Sequence, residues 1–271
     1  MRSSRPGNRT LAVVLAIAAV AAVGILVLRP TEPSADILAM DRFDRTVTEG
    51  WGESPRGGDY VISGTRANYS IARRTGVIVV PEAGITRSAL LSAVTASDVE
   101  LSFRVAMDSP VTGGGSFIYG ILRHVDAQHE YRAKVRLAPD GSVYVGVTFV
   151  IGTEERDLSP EERVPDLAYV VGTSLDIRAR VEGDPATIRV KVWPATQTEP
   201  TAWTMRANAG AGLLVAPGKI GVQVYVSQES TALPVAFTFK SLDARLLAAP
   251  GSSGSTDSQS PGDSARESPS P

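Results

Sequence analysis

The sequence predicts an all-β chain, a two-sheet antiparallel jelly-roll sandwich preceded by one N-terminal transmembrane helix. Three observations lead there. First, His129 to Val150 alternates apolar and charged residues with a period of two, breaks at Ala138-Pro139-Asp140-Gly141, and resumes with Val143, Val145, Val147 and Phe149 on one face; this is a hairpin of half-buried strands. Pro139 presets a negative φ for the turn, and Gly141 accepts the positive φ that a tight reversal leaves behind. Second, about a dozen short strand patterns follow one another between turn residues. Third, the body has no run of helical period, which favours two packed sheets.

Taken in order, residues 1–10 are basic and free of acids, and Leu11 to Leu28 holds eighteen residues without a polar side chain. As a helix that run spans about 27 Å, close to the hydrocarbon thickness of a bilayer. Three arginines precede it and one follows, which places the N-terminus in the cytoplasm and the rest outside. The competing reading is a cleaved signal peptide at Ala19-Val20-Ala21, which would make the body a secreted one. Residues 29–36 form a Pro-rich spacer.

The sandwich is expected over 37–247. Asp98 to Asp108 repeats the alternation, with Val99, Leu101, Phe103, Val105 and Met107 on one face. Ser116 to His124 is apolar on both faces and reads as a central strand covered on both sides. Gly152 to Val171, polar and interrupted by Pro160 and Pro165, reads as a long connection between two halves of the domain. Leu175 to Val181 and Ile188 to Val192 form a second hairpin, Ile220 to Val226 another strand, and Val235 to Leu247 the last, with a slip near Ser241 that reads as a bulge. Residues 248–271 carry no large apolar side chain and read as a disordered tail.

Composition removes several classes of function. There is no cysteine, so disulfides, thiolate metal sites and thiol catalysis are excluded. The net charge is −2 and the body is mildly acidic, which gives no electrostatic reason to expect nucleic acid as a partner.

Asp41-x-Phe43, Gly50-Trp51, the block from Arg123-His124-x-Asp126 through His129-x-Tyr131-Arg132-x-Lys134-Val135, and Asp140-Gly141 before a strand together resemble the concanavalin A-like, laminin-G-like lectin/glucanase group. The likeness extends to the modules of exported bacterial surface proteins in that group. It implies a concanavalin A-like sandwich that binds carbohydrate, cuts it, or serves in adhesion, and the fold alone does not choose among these. It also implies a structural calcium near the meeting chain ends, with Asp41 or Asp44 and Asp243 as ligands; the plainer reading has them as surface or turn-capping aspartates.

Glucanases of the group carry a Glu-x-Asp-x-Glu run, and Glu155 to Glu161 departs from that spacing and contains Pro160, so it reads as a solvated loop. His124 and His129 flank a turn without a third ligand and read as turn chemistry. For a glycan, exposed aromatics offer an apolar platform with polar edges: Tyr144, Trp193 and Tyr225 fall opposite the core face, with Arg132, Lys134 and Arg178 beside them. Interleaved acids give the alternative of a salt-bridged solvent face. Trp51 and Trp203 lie in loops. The expectation is a membrane-anchored extracytoplasmic module that is not an enzyme and binds cell-envelope or extracellular polysaccharide. A structural module engaging a protein partner in the envelope, or a glycoside hydrolase with displaced carboxylates, is the alternative.

Overall fold

The computed structural model describes residues 36–247. The strands run β1 Ile37–Asp41, β2 Glu53–Ser54, β3 Gly58–Ile62, β4 Tyr69–Ala72, β5 Thr75–Val80, β6 Thr86–Leu91, β7 Val99–Met107 and β8 Ser116–Asp126. They continue with β9 His129–Leu137, β10 Ser142–Ile151, β11 Glu154–Ala168, β12 Leu175–Glu182, β13 Thr187–Pro194, β14 Met205–Asn208, β15 Lys219–Val226 and β16 Val235–Leu246. A 3₁₀ turn at Arg66–Asn68 is the one helical element among the described residues. The expected transmembrane segment at 11–28, the spacer and the tail lie outside them. No helix among the described residues is long and apolar enough to cross a membrane.

The strands form two antiparallel sheets. In the first, the order is β14-β13-β12-β7-β16-β5-β4, with β1 also on β16; in the second it is β11-β10-β9-β8-β15-β6-β3-β2. The period-two patterns decide which faces meet. Leu101, Phe103, Ile177, Ala179, Val190 and Phe239 from the first sheet pack against Ile118, Tyr131, Val135, Val145 and Val222 from the second, all nearly or fully buried. Each large aliphatic or aromatic side chain taken out of water this way contributes about 1.5–3 kcal/mol. Gly120 faces the same core, where a Cβ would sit 3.2 Å from Phe103, so a bare backbone there lets the sheets close.

The expected bulge near Ser241 is present as a register shift between Phe239 and Ser241 against β7. Gly141 takes φ +81° in the turn after Asp140. Residues 152–171 differ from expectation: they are chiefly β11, the edge strand of the second sheet, rather than a connection. Pro160 and Pro165 are tolerated because one side of an edge strand needs no ladder donor, and the β10–β11 register shifts three times along its length.

Candidate functional site

The outer face of the second sheet carries a continuous set of side chains that the alternation turns away from the core. Across the strands, Tyr225, Phe117, Arg136 and Tyr144 form one row. The next holds Gln223, Tyr119, Lys134 and Gly146, and the third Gly221, Ile121, Arg132, Thr148 and Asp157. The β15–β8 side is apolar and aromatic: Tyr119, Ile121 and Leu90 make a small cluster separate from the main core, with Phe117 and Tyr225 packed on it. Phe117 and Tyr119 stack with centroids 6.3 Å apart at 11°, and Tyr225 lies 5.5 Å from Phe117. As the sequence suggests, β8 is covered on both faces: on the face away from the main core Ile121 is 0% and Tyr119 5% exposed, with Arg132 lying over the Tyr119 ring.

The β9–β11 side is charged. Lys134 Nζ reaches Asp157 Oδ1 and Glu161 Oε1 at 2.9 and 3.1 Å, which holds both carboxylates on one ammonium. Glu161 also accepts from Arg136 Nε at 2.7 Å. Arg132 donates to both Glu130 and Glu155 and lies over the Tyr119 ring at 5.4 Å. Burial disfavours the charged Lys134, but its bonds to Asp157 and Glu161 outweigh this and hold its pKa above the ordinary lysine value. Arg132 behaves the same way: burial opposes its charge, Glu130 and Glu155 restore it, and the net shift is upward. Burial, followed by the nearby Glu155 charge, pushes the Tyr119 phenol up. Gly146 makes room for this cluster, since a Cβ there would meet Lys134 Cε at 2.8 Å and Glu161 Cγ at 3.3 Å.

Of the residues singled out from sequence, Tyr144, Tyr225, Arg132 and Lys134 share this face, and Arg136 covers the Tyr144 ring at 4.1 Å. Trp193 and Arg178 lie on the other sheet, so the set does not form one site. On that sheet's outer face Glu100 receives Arg178 and Arg180, Asp176 receives Arg104, and Glu182 receives Arg189. Around Arg178 the geometry is that of a salt-bridged surface.

Asp41, Asp44 and Asp243 do not converge. Asp41, 1% exposed, accepts from Arg45 at 2.9 and 3.0 Å, from the Phe43 amide at 2.7 Å and from the Tyr60 hydroxyl at 3.1 Å. Asp243 holds Arg42 through both oxygens, and the exposed Asp44 stands 4.0 Å from Arg74. Donors already occupy the carboxylates of Asp41 and Asp243, and among the described residues no group of three His, Asp or Glu is arranged to hold a metal. His124 pairs with Glu130 at 2.6 Å and His129 with Asp126 at 2.8 Å, two separate contacts at one hairpin end.

Phe117, Tyr119, Asp157 and Glu161 are the members of the face that the sequence reading did not pick. For the carboxylates the signal was the even spacing of Glu155, Asp157 and Glu161, which puts side chains on one face once the segment is a strand.

No protein-family model matches the chain, and no curated protein sequence matches it. Solved structures do. A β-1,3-glucanase from Mycobacterium marinum superposes with a TM-score of 0.51 at 11% identity, over 78% of this chain and 99% of its own. An endo-acting O-glycanase of the human gut microbiota, which initiates mucin breakdown, superposes at 0.55 and 10% identity, over 79% and 100%. The GH43 protein BlXynB from Bacillus licheniformis gives 0.51 at 9% identity, over 77% of this chain and 39% of that one. These are likenesses of fold. They overturn the expectation that the chain is not an enzyme, because the frame it shares is one carried by glycoside hydrolases. A missing Glu-x-Asp-x-Glu run, on which that expectation rested, does not exclude catalysis on this frame.

Proposed function

We propose that this chain acts on carbohydrate, taking a glycan along the outer face of the second sheet, and that this face is equipped to hydrolyse a glycosidic bond. The observation that carries the reading is that one sheet face holds both an aromatic cluster, Phe117, Tyr119 and Tyr225, and the carboxylates Asp157 and Glu161 three to four strands away. A pyranose ring lays its apolar C–H face on aromatic carbon and leaves its hydroxyls for charged neighbours such as Arg132 and Lys134. In a retaining hydrolase one carboxyl group protonates the leaving oxygen while the other, about 5–5.5 Å from the first, attacks the anomeric carbon. Asp157, 56% exposed, and Glu161, 21% exposed, are both open to such a substrate. The glucanase and glycanase likenesses support the substrate class.

The test is release of reducing ends from β-1,3-glucan, xylan and mucin glycans by the full chain, kept in a detergent without a sugar headgroup. Asp157→Asn or Glu161→Gln should lower the rate about 100- to 10,000-fold, and Tyr119→Ala should weaken substrate binding. Binding without turnover would remove hydrolysis and leave the glycan groove; neither binding nor turnover would remove both.

The apolar run at 11–28 with its flanking arginines supports a further part of the reading, that the body works outside the cytoplasm while tethered to the membrane. Deleting residues 1–28 should move the protein from the membrane fraction to the soluble one. A full-length chain already in the soluble cytoplasmic fraction would rule the tether out.

A further inference from the structure

Away from the groove, two cavities flank a single indole. The larger, about 500 Å³, opens between β11 and the segment after β13, and Trp193, Trp203, Pro165 and Pro200 supply its apolar lining. Gln197, Thr198, Thr204 and Arg163 bring polar groups to the same walls. The smaller, about 310 Å³, lies over the outer face of the first sheet between Arg104, Asp176, Arg178, Glu199 and Asp243. Trp193 and Gln197 line both. A ligand lying along them would therefore meet Trp193 and Gln197 in both. Lys191 Nζ lies 4.9 Å from the Trp203 centroid and 5.8 Å from that of Trp193, so both indoles border one ammonium.

Arg178 and Glu199 both line the smaller cavity and form an ion pair at 2.9 Å along its wall. Apolar rings ringed by amide, hydroxyl and carboxylate edges suit a partner with an apolar face and many hydroxyls, repeated along a chain so that both cavities fill.

We infer that the paired cavities around Trp193 are a second carbohydrate site, separate from the groove on the other sheet and taking successive sugar units of a glycan chain. The inference rests on the carbohydrate reading above for its ligand class, but its residues are different. It gives the molecule two holds on one polymer, and a second hold raises the effective concentration of the chain at the first.

Tryptophan emission separates the two sites. The chain has three tryptophans; Trp51 is sealed in the core, and the groove face is lined by phenylalanine and tyrosine. Soluble oligosaccharides of β-1,3-glucan and of xylan are titrated into the full chain in sugar-free detergent, following emission and binding heat together. The expected result is an emission change that persists in Tyr119→Ala and in Trp193→Ala is reduced to the Trp203 contribution, with about tenfold weaker binding in the latter. Trp193→Phe, which preserves packing, should keep only the part of the emission change that comes from Trp203, with the same melting temperature as the parent. Binding heat without an emission change, equal in the parent and Trp193→Phe but lost in Tyr119→Ala, overturns the second site and leaves the groove. An emission change unaffected by Tyr119→Ala, with no turnover, keeps the second site and removes the groove. No response to any sugar, or a response only to a proline-rich peptide, overturns this inference.

Discussion

Trp51 shows how one loop residue holds an end of the sandwich. Its ring meets Phe43, Tyr60 and Phe239 edge-on at 5.0–5.4 Å, and its indole N–H donates to the Val77 carbonyl at 3.0 Å, so a 0% exposed side chain leaves no polar atom unpaired. Trp51→Ala should cost about 3–5 kcal/mol, read as a lower denaturant midpoint. Asp41 is the polar counterpart. Its carboxylate answers a guanidinium, an amide and a phenol, so Asp41→Ala strands three donors and should cost about 3–5 kcal/mol. Because those donors occupy it, a chelator should leave the melting temperature unchanged; a clear drop with chelator, restored by calcium, would bring the cation back.

At the scale of elements, β7 and β11 differ in how plainly they write themselves. In β7 one face is buried and the other wet, so Val99 to Met107 alternates and its register is legible. In β11 the outer edge faces solvent, most side chains are exposed, and two prolines sit where the ladder shifts, so the signs of a strand are missing from its residues. The two one-residue shifts flanking Val147 run in the same direction and add to two residues, which returns Glu161 to the face that Asp157 occupies and leaves the even spacing of the carboxylates meaningful only once the segment is known to pair with β10. The outer cluster was hidden for another reason: Tyr119 and Ile121 look like core and are buried, and only the strand pairing places them on the face away from the main core. Gly146 tests the assembled element. In Gly146→Val the new branches displace the ends of Lys134 and Glu161, which are flexible, so stability should change by less than about 1.5 kcal/mol while the activity of the groove is lost. Unchanged turnover on glucan in this variant would show that the Lys134–Glu161 contact is not needed.

For the whole molecule, a core without disulfides stands on burial, and its tyrosines tie that burial to pH. Burial raises the phenols of Tyr60, Tyr69, Tyr119 and Tyr169, and carries Tyr131 up to about 12. In the unfolded chain each would ionise near about pH 10. Above that pH the folded state binds more protons than the unfolded one, so stability falls as pH rises. Lys134 adds to the trend with the same sign: its raised pKa gives stability that is complete below the ordinary lysine value and is lost as pH climbs through the folded one. The sandwich should therefore be insensitive to pH through neutrality and weaken from about pH 10 upward, with a late group of tyrosines ionising only as the sheets come apart. Phenolate absorbance and circular dichroism followed in one alkaline titration check this. If all phenols ionise around their ordinary value while the sheet signal stays intact, the interior is open to water and the two packed sheets are not the source of stability.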